Sequence, residues 1–163
     1  MKKIALALIL LAVFGVTAKA QTRVAPMLGY ATKYSQPALG GNAEFFIEDK
    51  ISISPSMLLY FPESHQNSRW GYVEFNLNGN YYFYSKDVFE FYAIGGLNYS
   101  RVRYKDKING DNSYSDDNIN LNIGGGINFK VDTDLLPFSE IRYVLGGTDQ
   151  AVIVAGVKFT IGN

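Results

Sequence analysis

The chain has no cysteine, one histidine and one tryptophan among its 163 residues. Without cysteine there can be no disulfide framework and no lipid on an N-terminal cysteine. One histidine, His65, without cysteine cannot supply a transition-metal site. No basic patch points to nucleic acid. After the first twenty residues, no segment is long and apolar enough for a transmembrane helix, which needs ~20 such residues. Helical periodicity, a proline-rich linker and a second domain are missing as well.

What is present begins with the leader. MKKIALALILLAVFGVTAKAQ has Lys2 and Lys3, an apolar run from Ile4 to Val16, and then Ala18-Lys19-Ala20. That order is a secretory signal peptide, residues 1–20, with cleavage before Gln21. The mature chain, 21–163, loses Lys2, Lys3 and Lys19 from its 15 basic residues. Twelve remain against 15 acidic ones, a net charge of −3. An exported chain without disulfides needs another source of stability. The abundance of tyrosine and phenylalanine, 12 and 11 residues, marks a β-rich composition.

The pattern is a strict period of two, which is a β-strand with unlike faces. In NINLNIGGGINFKV, Asn118 to Val131, the odd positions are apolar or glycine and the even ones Asn, Gly or Lys. Tyr72 to Tyr84, Phe89 to Tyr99 and Ala151 to Ile161 repeat it. Four weaker strands lie near Arg23 to Ala31, Gly41 to Glu48, Ile51 to Tyr60 and Phe138 to Gly146. The first is the poorest and contains Pro26, tolerated only where no ladder donor is needed. Tight turns at Glu48-Asp49-Lys50, Ser85-Lys86-Asp87 and from Asp132 alternate with longer polar segments, Thr32 to Gly40, Pro62 to Arg69 and Lys105 to Asp117. The predicted fold is all-β: a single closed antiparallel up-and-down transmembrane barrel of about eight strands.

Alternation alone does not say which face is outside. A soluble ligand-carrying barrel turns its apolar side inward; a membrane barrel inverts this. Three features favour inversion. The polar face is built of short Asn, Ser, Gly and Glu, suited to a narrow lumen that side chains fill. Aromatics bunch at strand ends, as in Tyr81, Phe83, Phe89 and Phe91, like an interfacial girdle. The apolar faces have no helix to cover them. The expected interior is therefore polar, with Ile119, Leu121, Ile123, Ile127 and Phe129 toward lipid.

On these strands, turns and faces, nearly the whole mature chain resembles the small outer-membrane β-barrels of the OmpA/OmpX type. The resemblance implies residence in the bacterial outer membrane, contact with its lipid and lipopolysaccharide, and insertion by the barrel-assembly machinery. Gly156, Phe159 and Ile161 resemble the spaced C-terminal signal of that family; the added Gly162 and Asn163 depart from it.

The candidate site residues follow from the faces. Glu44, Glu74, Glu90 and Glu140 share the inward parity with Arg142 and Lys158, and Arg23 and Lys130 join near the ends. Unpaired buried charge is costly, so these should pair into a network that plugs the lumen. The alternative is a gated ion path or proton relay. Arg101 and Arg103 lie on the outward parity beyond Tyr99, either meeting lipopolysaccharide phosphates or sitting on a solvated rim. His65 with Glu63, Ser64 and Ser68 is the only foothold for a lipid-modifying hydrolase, and Asp111, Asp116 and Asp117 for a hard cation. The expectation is a non-enzymatic barrel without cofactor or metal, structural or surface-interacting.

Overall fold

The computed structural model describes residues 21–61, 64–65, 68–106, 113–131, 134–147 and 149–161, with side chains described outside 62–70 and 104–114. The leader, Glu63, Asp111, Gly162 and Asn163, and the side chains of Ser64, His65 and Ser68, lie outside that description.

The described residues form nine strands and no helix. They are β1 Thr22–Ala31, β2 Gln36–Glu48, β3 Ile51–Tyr60, β4 Ser64–His65, β5 Ser68–Lys86, β6 Phe89–Asp106, β7 Ser113–Phe129, β8 Leu135–Leu145 and β9 Gln150–Ile161. Every neighbouring pair is antiparallel, β1 pairs with β9, and β3 pairs with β5. Those pairings close the sheet into an eight-stranded barrel, with β4 a two-residue addition to the edge of β5. Closure gives every barrel strand a hydrogen-bonded neighbour on both sides, and beyond Leu121, toward its start, β7 pairs with β6 alone.

The parity is decided on β7. Ile119, Leu121 and Ile123 are 78%, 58% and 59% exposed, whereas Asn120 and Asn122 are 3% and 4% exposed. The apolar face is outside. The same parity exposes Leu28, Leu59, Leu77, Leu97, Ile141 and Ile153 around the barrel. Ile119 to Phe129, about eleven residues, matches the ~9–11 that a tilted strand needs to cross a bilayer. At the turn end of this belt Phe89 meets Phe129 edge-on at 5.7 Å and Phe91 at a tilt at 6.2 Å, and Phe91 meets Phe83 and Tyr84. Near its upper edge Phe75 meets Tyr99 at 6.3 Å.

Three expectations need correction. Of the segment read as a loop from Lys105 to Asp117, the described residues are strand: β6 runs to Asp106, and Ser113 to Asp117 belong to β7, with Lys105 opposite Ser113. This outer part is polar on both faces, and hydrophobic periodicity cannot register it. β2 likewise begins at Gln36, inside the segment read as Thr32 to Gly40; there Ala38 points inward and Leu39 outward, so both faces are apolar and the alternation is lost. Tyr84, on the inward parity by counting, is exposed, because a bulge at Phe83 shifts the register against β6.

The interior is not polar all round either. Ala25, Met27, Ala31, Ala38, Leu58, Val144, Val152 and Val154 form one buried apolar cluster with Tyr60, Tyr72 and Phe138. It lies on β1, β2, β3, β8 and β9, with Tyr72 reaching in from β5, while β5, β6 and β7 contribute most of the asparagines. Strands with apolar residues on both faces alternate weakly. That explains why the first strand, with its inward Ala25, Met27 and Ala31, is the least legible.

The short turns are tight. Glu48 pairs with Ile51 and Lys86 with Phe89, leaving two-residue links at one end of the barrel. Asp87 takes φ 49°, a left-handed conformation that Asp tolerates. Inside, Tyr92 lies across the backbone of Gly126, and a Cβ added there would run into the ring. Gly126→Ala is expected to lower the stability of the refolded barrel by about 1–3 kcal/mol through overpacking. Urea unfolding in detergent checks this; an unchanged midpoint would contradict the packing.

Candidate functional site: the charged lumen

β2, β5, β6 and β8 each bring one glutamate inside, and all four are buried. Glu44 is the best satisfied. Its Oε1 accepts hydrogen bonds from the Ser52 hydroxyl at 2.6 Å, the Tyr82 hydroxyl at 2.6 Å and Asn80 Nδ2 at 2.9 Å. Its Oε2 meets the Lys158 ammonium at 2.9 Å. Those four donors match the acceptor capacity of a carboxylate. Lys158 also lies over the rings of Tyr92 and Phe138, 4.6 and 5.0 Å from their centroids. Such cation–π contacts gain strength where water is excluded.

Glu90 holds two cations toward the chain-terminal end. Arg23 Nη1 donates to Oε2 at 3.0 Å, and Lys130 Nζ lies 3.3 Å from Oε1. Asn128 and Ser85 add donors at 3.0 and 3.3 Å. The guanidinium of Arg23 stacks over Phe46 at 4.8 Å. Glu140 accepts from the Tyr92 hydroxyl at 2.9 Å, and its other oxygen lies 4.0 Å from Arg142 Nε. Glu74 is different. Among the described residues it makes no ion pair within that distance; Tyr72 and Gln150 donate to Oε1 at 2.6 and 2.8 Å.

The structure thus puts all six candidate lumen residues, with Arg23, inside one barrel. Lys130, one-third exposed, joins them at the mouth. Two sets of partners join them that the sequence placed on the inward face without assigning them contacts. One is the tyrosine hydroxyls of Tyr72, Tyr82 and Tyr92; all three share the inward parity, which is the signal that could have found them. The other is an asparagine layer on β5, β6 and β7. Asn98 and Asn122 both donate to Asn76 Oδ1, at 2.8 and 2.9 Å, and Asn120 donates to Asn98 at 2.9 Å. Asn122 also reaches Asn78 at 2.9 Å. These amides cross the lumen wall from strand to strand and occupy its middle.

Chemically this is a packed network. A hydrogen-bonded chain runs from Glu90 through Asn128, Tyr82, Glu44, Lys158 and Tyr92 to Glu140. Beyond it stands Arg142, a guanidinium that does not release its proton and cannot hand one on.

Outside the barrel, Arg101 forms a two-pronged pair with Asp117. Nε and Nη2 donate at 2.7 and 2.9 Å, and the guanidinium lies over Tyr99 at 5.8 Å. The pair is exposed and lies beyond the apolar belt. Hydrogen bonding from Arg101 holds the Asp117 carboxyl below the ordinary carboxylate range. The contact is therefore present at neutral pH and lost as pH falls through that lowered value. Arg103 is exposed on the same face. His65 is opposite Ser68 across the β4–β5 edge. Asp116 and Asp117 belong to β7, and no metal-holding acidic or histidine group exists among the described residues.

No protein-family model and no curated protein sequence matches the chain. Its fold does match solved structures. The N-terminal β-barrel domain of Pseudomonas aeruginosa OprF superposes with a TM-score of 0.69 at 16% identity, covering 88% of this chain and 100% of that one. Ail, the attachment invasion locus protein of Yersinia pestis, gives 0.62 at 10% identity, covering 87% and 97%. A de novo designed transmembrane β-barrel gives 0.58 at 15% identity, covering 86% and 95%. The fold is that of the small outer-membrane β-barrels. Because a designed barrel shares it, the fold by itself assigns no activity.

Breaking the central ion pair from one side should be costly. Lys158→Met is expected to lower stability by about 3–5 kcal/mol by stranding Glu44, and adding Glu44→Gln should recover most of it. Urea unfolding of the single and double variants checks this; equal losses in both would contradict the pairing.

Proposed function

We propose that this chain is an integral protein of the bacterial outer membrane, with a plugged lumen and a structural or surface-interacting role. The observation that carries this reading is the outward apolar parity around a closed barrel, with aromatics at both edges of the belt. Such a surface in water would be an exposed patch far beyond what a soluble monomer carries. The network from Glu90 to Arg142 and the asparagine layer support a plug over a pore.

The outward role falls to β5, β6 and β7, whose 19, 18 and 17 residues exceed the 10 to 13 of the other barrel strands. They project at the end opposite the two-residue turns. Arg103, next to the Arg101–Asp117 pair, is the candidate contact for lipopolysaccharide phosphate. Arg101 already commits its fork to Asp117, so Arg103 carries more of this proposal. The barrel-assembly machinery would be met at Gly156, Phe159 and Ile161, of which the last two face outward on β9. A non-enzymatic role is part of the proposal; the competing reading, hydrolysis at His65, requires an outer-leaflet lipid profile that changes in His65→Ala.

Cell fractionation with unheated and boiled gel samples tests the proposal. The expected result is an outer-membrane band whose mobility changes on boiling, and no conductance steps after insertion into planar bilayers. A soluble, heat-insensitive protein would overturn membrane residence, and steady conductance would overturn the plug.

A further inference from the structure

The four lumen carboxylates and four lumen cations balance in number but not in place. Toward the projecting end, Glu74 and Glu140 have Arg142 between them in the ladder order. Toward the chain-terminal end, Arg23 and Lys130 flank the single carboxylate of Glu90. Glu44 and Lys158 neutralise each other in between. The lumen is polarised, with a surplus positive charge at the terminal mouth.

A cavity of about 600 Å³ opens at that mouth, lined in part by Gln21, Arg23, Glu90, Lys130 and Thr160. Arg23 and Thr160 are direct cross-strand partners on β1 and β9, so their side chains stand side by side. Arg23 is only 6% exposed, and its Nε has no hydrogen-bond partner. The Thr160 hydroxyl beside it is buried and likewise unpartnered. A second opening of about 360 Å³ shares Gln21, Arg23 and Glu90 and adds Lys50 and Lys86, against one acid, Asp49. The acceptor capacity of Glu90 is taken up by Arg23, Asn128, Ser85 and Lys130. It holds both cations in position while leaving one positive charge uncompensated.

We propose that this mouth binds a phosphate-type oxyanion, held by Arg23 Nε, the Thr160 hydroxyl and the Lys130 ammonium. The three residues come from β1, β9 and the position that follows β7, and all three line the cavity. Charge-assisted bonds from Arg and Lys are the strong ones, and the cavity volume is in the range of small-ligand sites. The anion arrives either as free phosphate or as the phosphomonoester headgroup of a lipid. The proposal does not depend on the surface role above.

The test is calorimetric titration of the detergent-solubilised mature barrel at constant ionic strength, with inorganic phosphate in one arm and dihexanoyl phosphatidate in the other. The expected result is saturable binding of at least one of them. Thr160→Val, which removes one hydroxyl at nearly constant volume, should weaken it about tenfold, and Lys130→Gln at least as much. Saturation by phosphate identifies the free anion as sufficient; saturation by phosphatidate alone identifies the lipid headgroup. Arg23→Gln should abolish binding if it folds, and Thr160→Val keeps the test decisive if it does not. No saturable binding of either probe, or binding unchanged in both Thr160→Val and Lys130→Gln, would overturn the site.

Discussion

Closure of the backbone ladder is the constraint on which the rest depends. A sheet with an apolar outer face cannot leave an edge in lipid, because unpaired N–H and C=O groups there have no water to turn to. The β1–β9 and β3–β5 pairings remove both edges. Once the sheet is closed with its apolar side out, every polar side chain of the crossing strands is confined to a narrow interior. There it must find a partner or strand a charge. The glutamate, lysine, arginine, tyrosine and asparagine contacts are the consequence of that confinement.

The interior meets the demand in two ways. On β5, β6 and β7 it cross-links asparagines from strand to strand. On β1, β2, β8 and β9 it largely avoids the problem, filling the lumen with Ala25, Met27, Ala38, Val144, Val152 and Val154. The charged groups on those strands still need partners: Glu44 of β2 and Lys158 of β9 pair with each other, and Tyr92 of β6 lies under Lys158 and over Gly126.

Much of this was legible in the sequence, and the rest was hidden for identifiable reasons. The parity of β7 could be read residue by residue because its faces differ sharply, Ile against Asn. From that parity came the inward glutamates, Arg142 and Lys158. The outer part of β7 was hidden because Ser115, Asp116 and Asp117 leave no apolar face to count there. The apolar half of the lumen was hidden because Ala25, Val152 and Val154 blur the alternation that defines a face. Who pairs with whom was not accessible at all. Glu44 is 114 residues from Lys158, and only strand order and register bring them together.

The central claim is the direction of the two faces, and the absence of cysteine makes it directly measurable. Single cysteines introduced one at a time from Asn118 to Phe129 can be nitroxide-labelled in lipid vesicles, without background. Collision with oxygen, which concentrates in lipid, and with a water-soluble nickel chelate is then compared at each position. The account requires high oxygen access at Ile119, Leu121 and Ile123, and low access to both at Asn120 and Asn122. Oxygen access on the asparagine parity, or chelate access along the isoleucine parity, would contradict it.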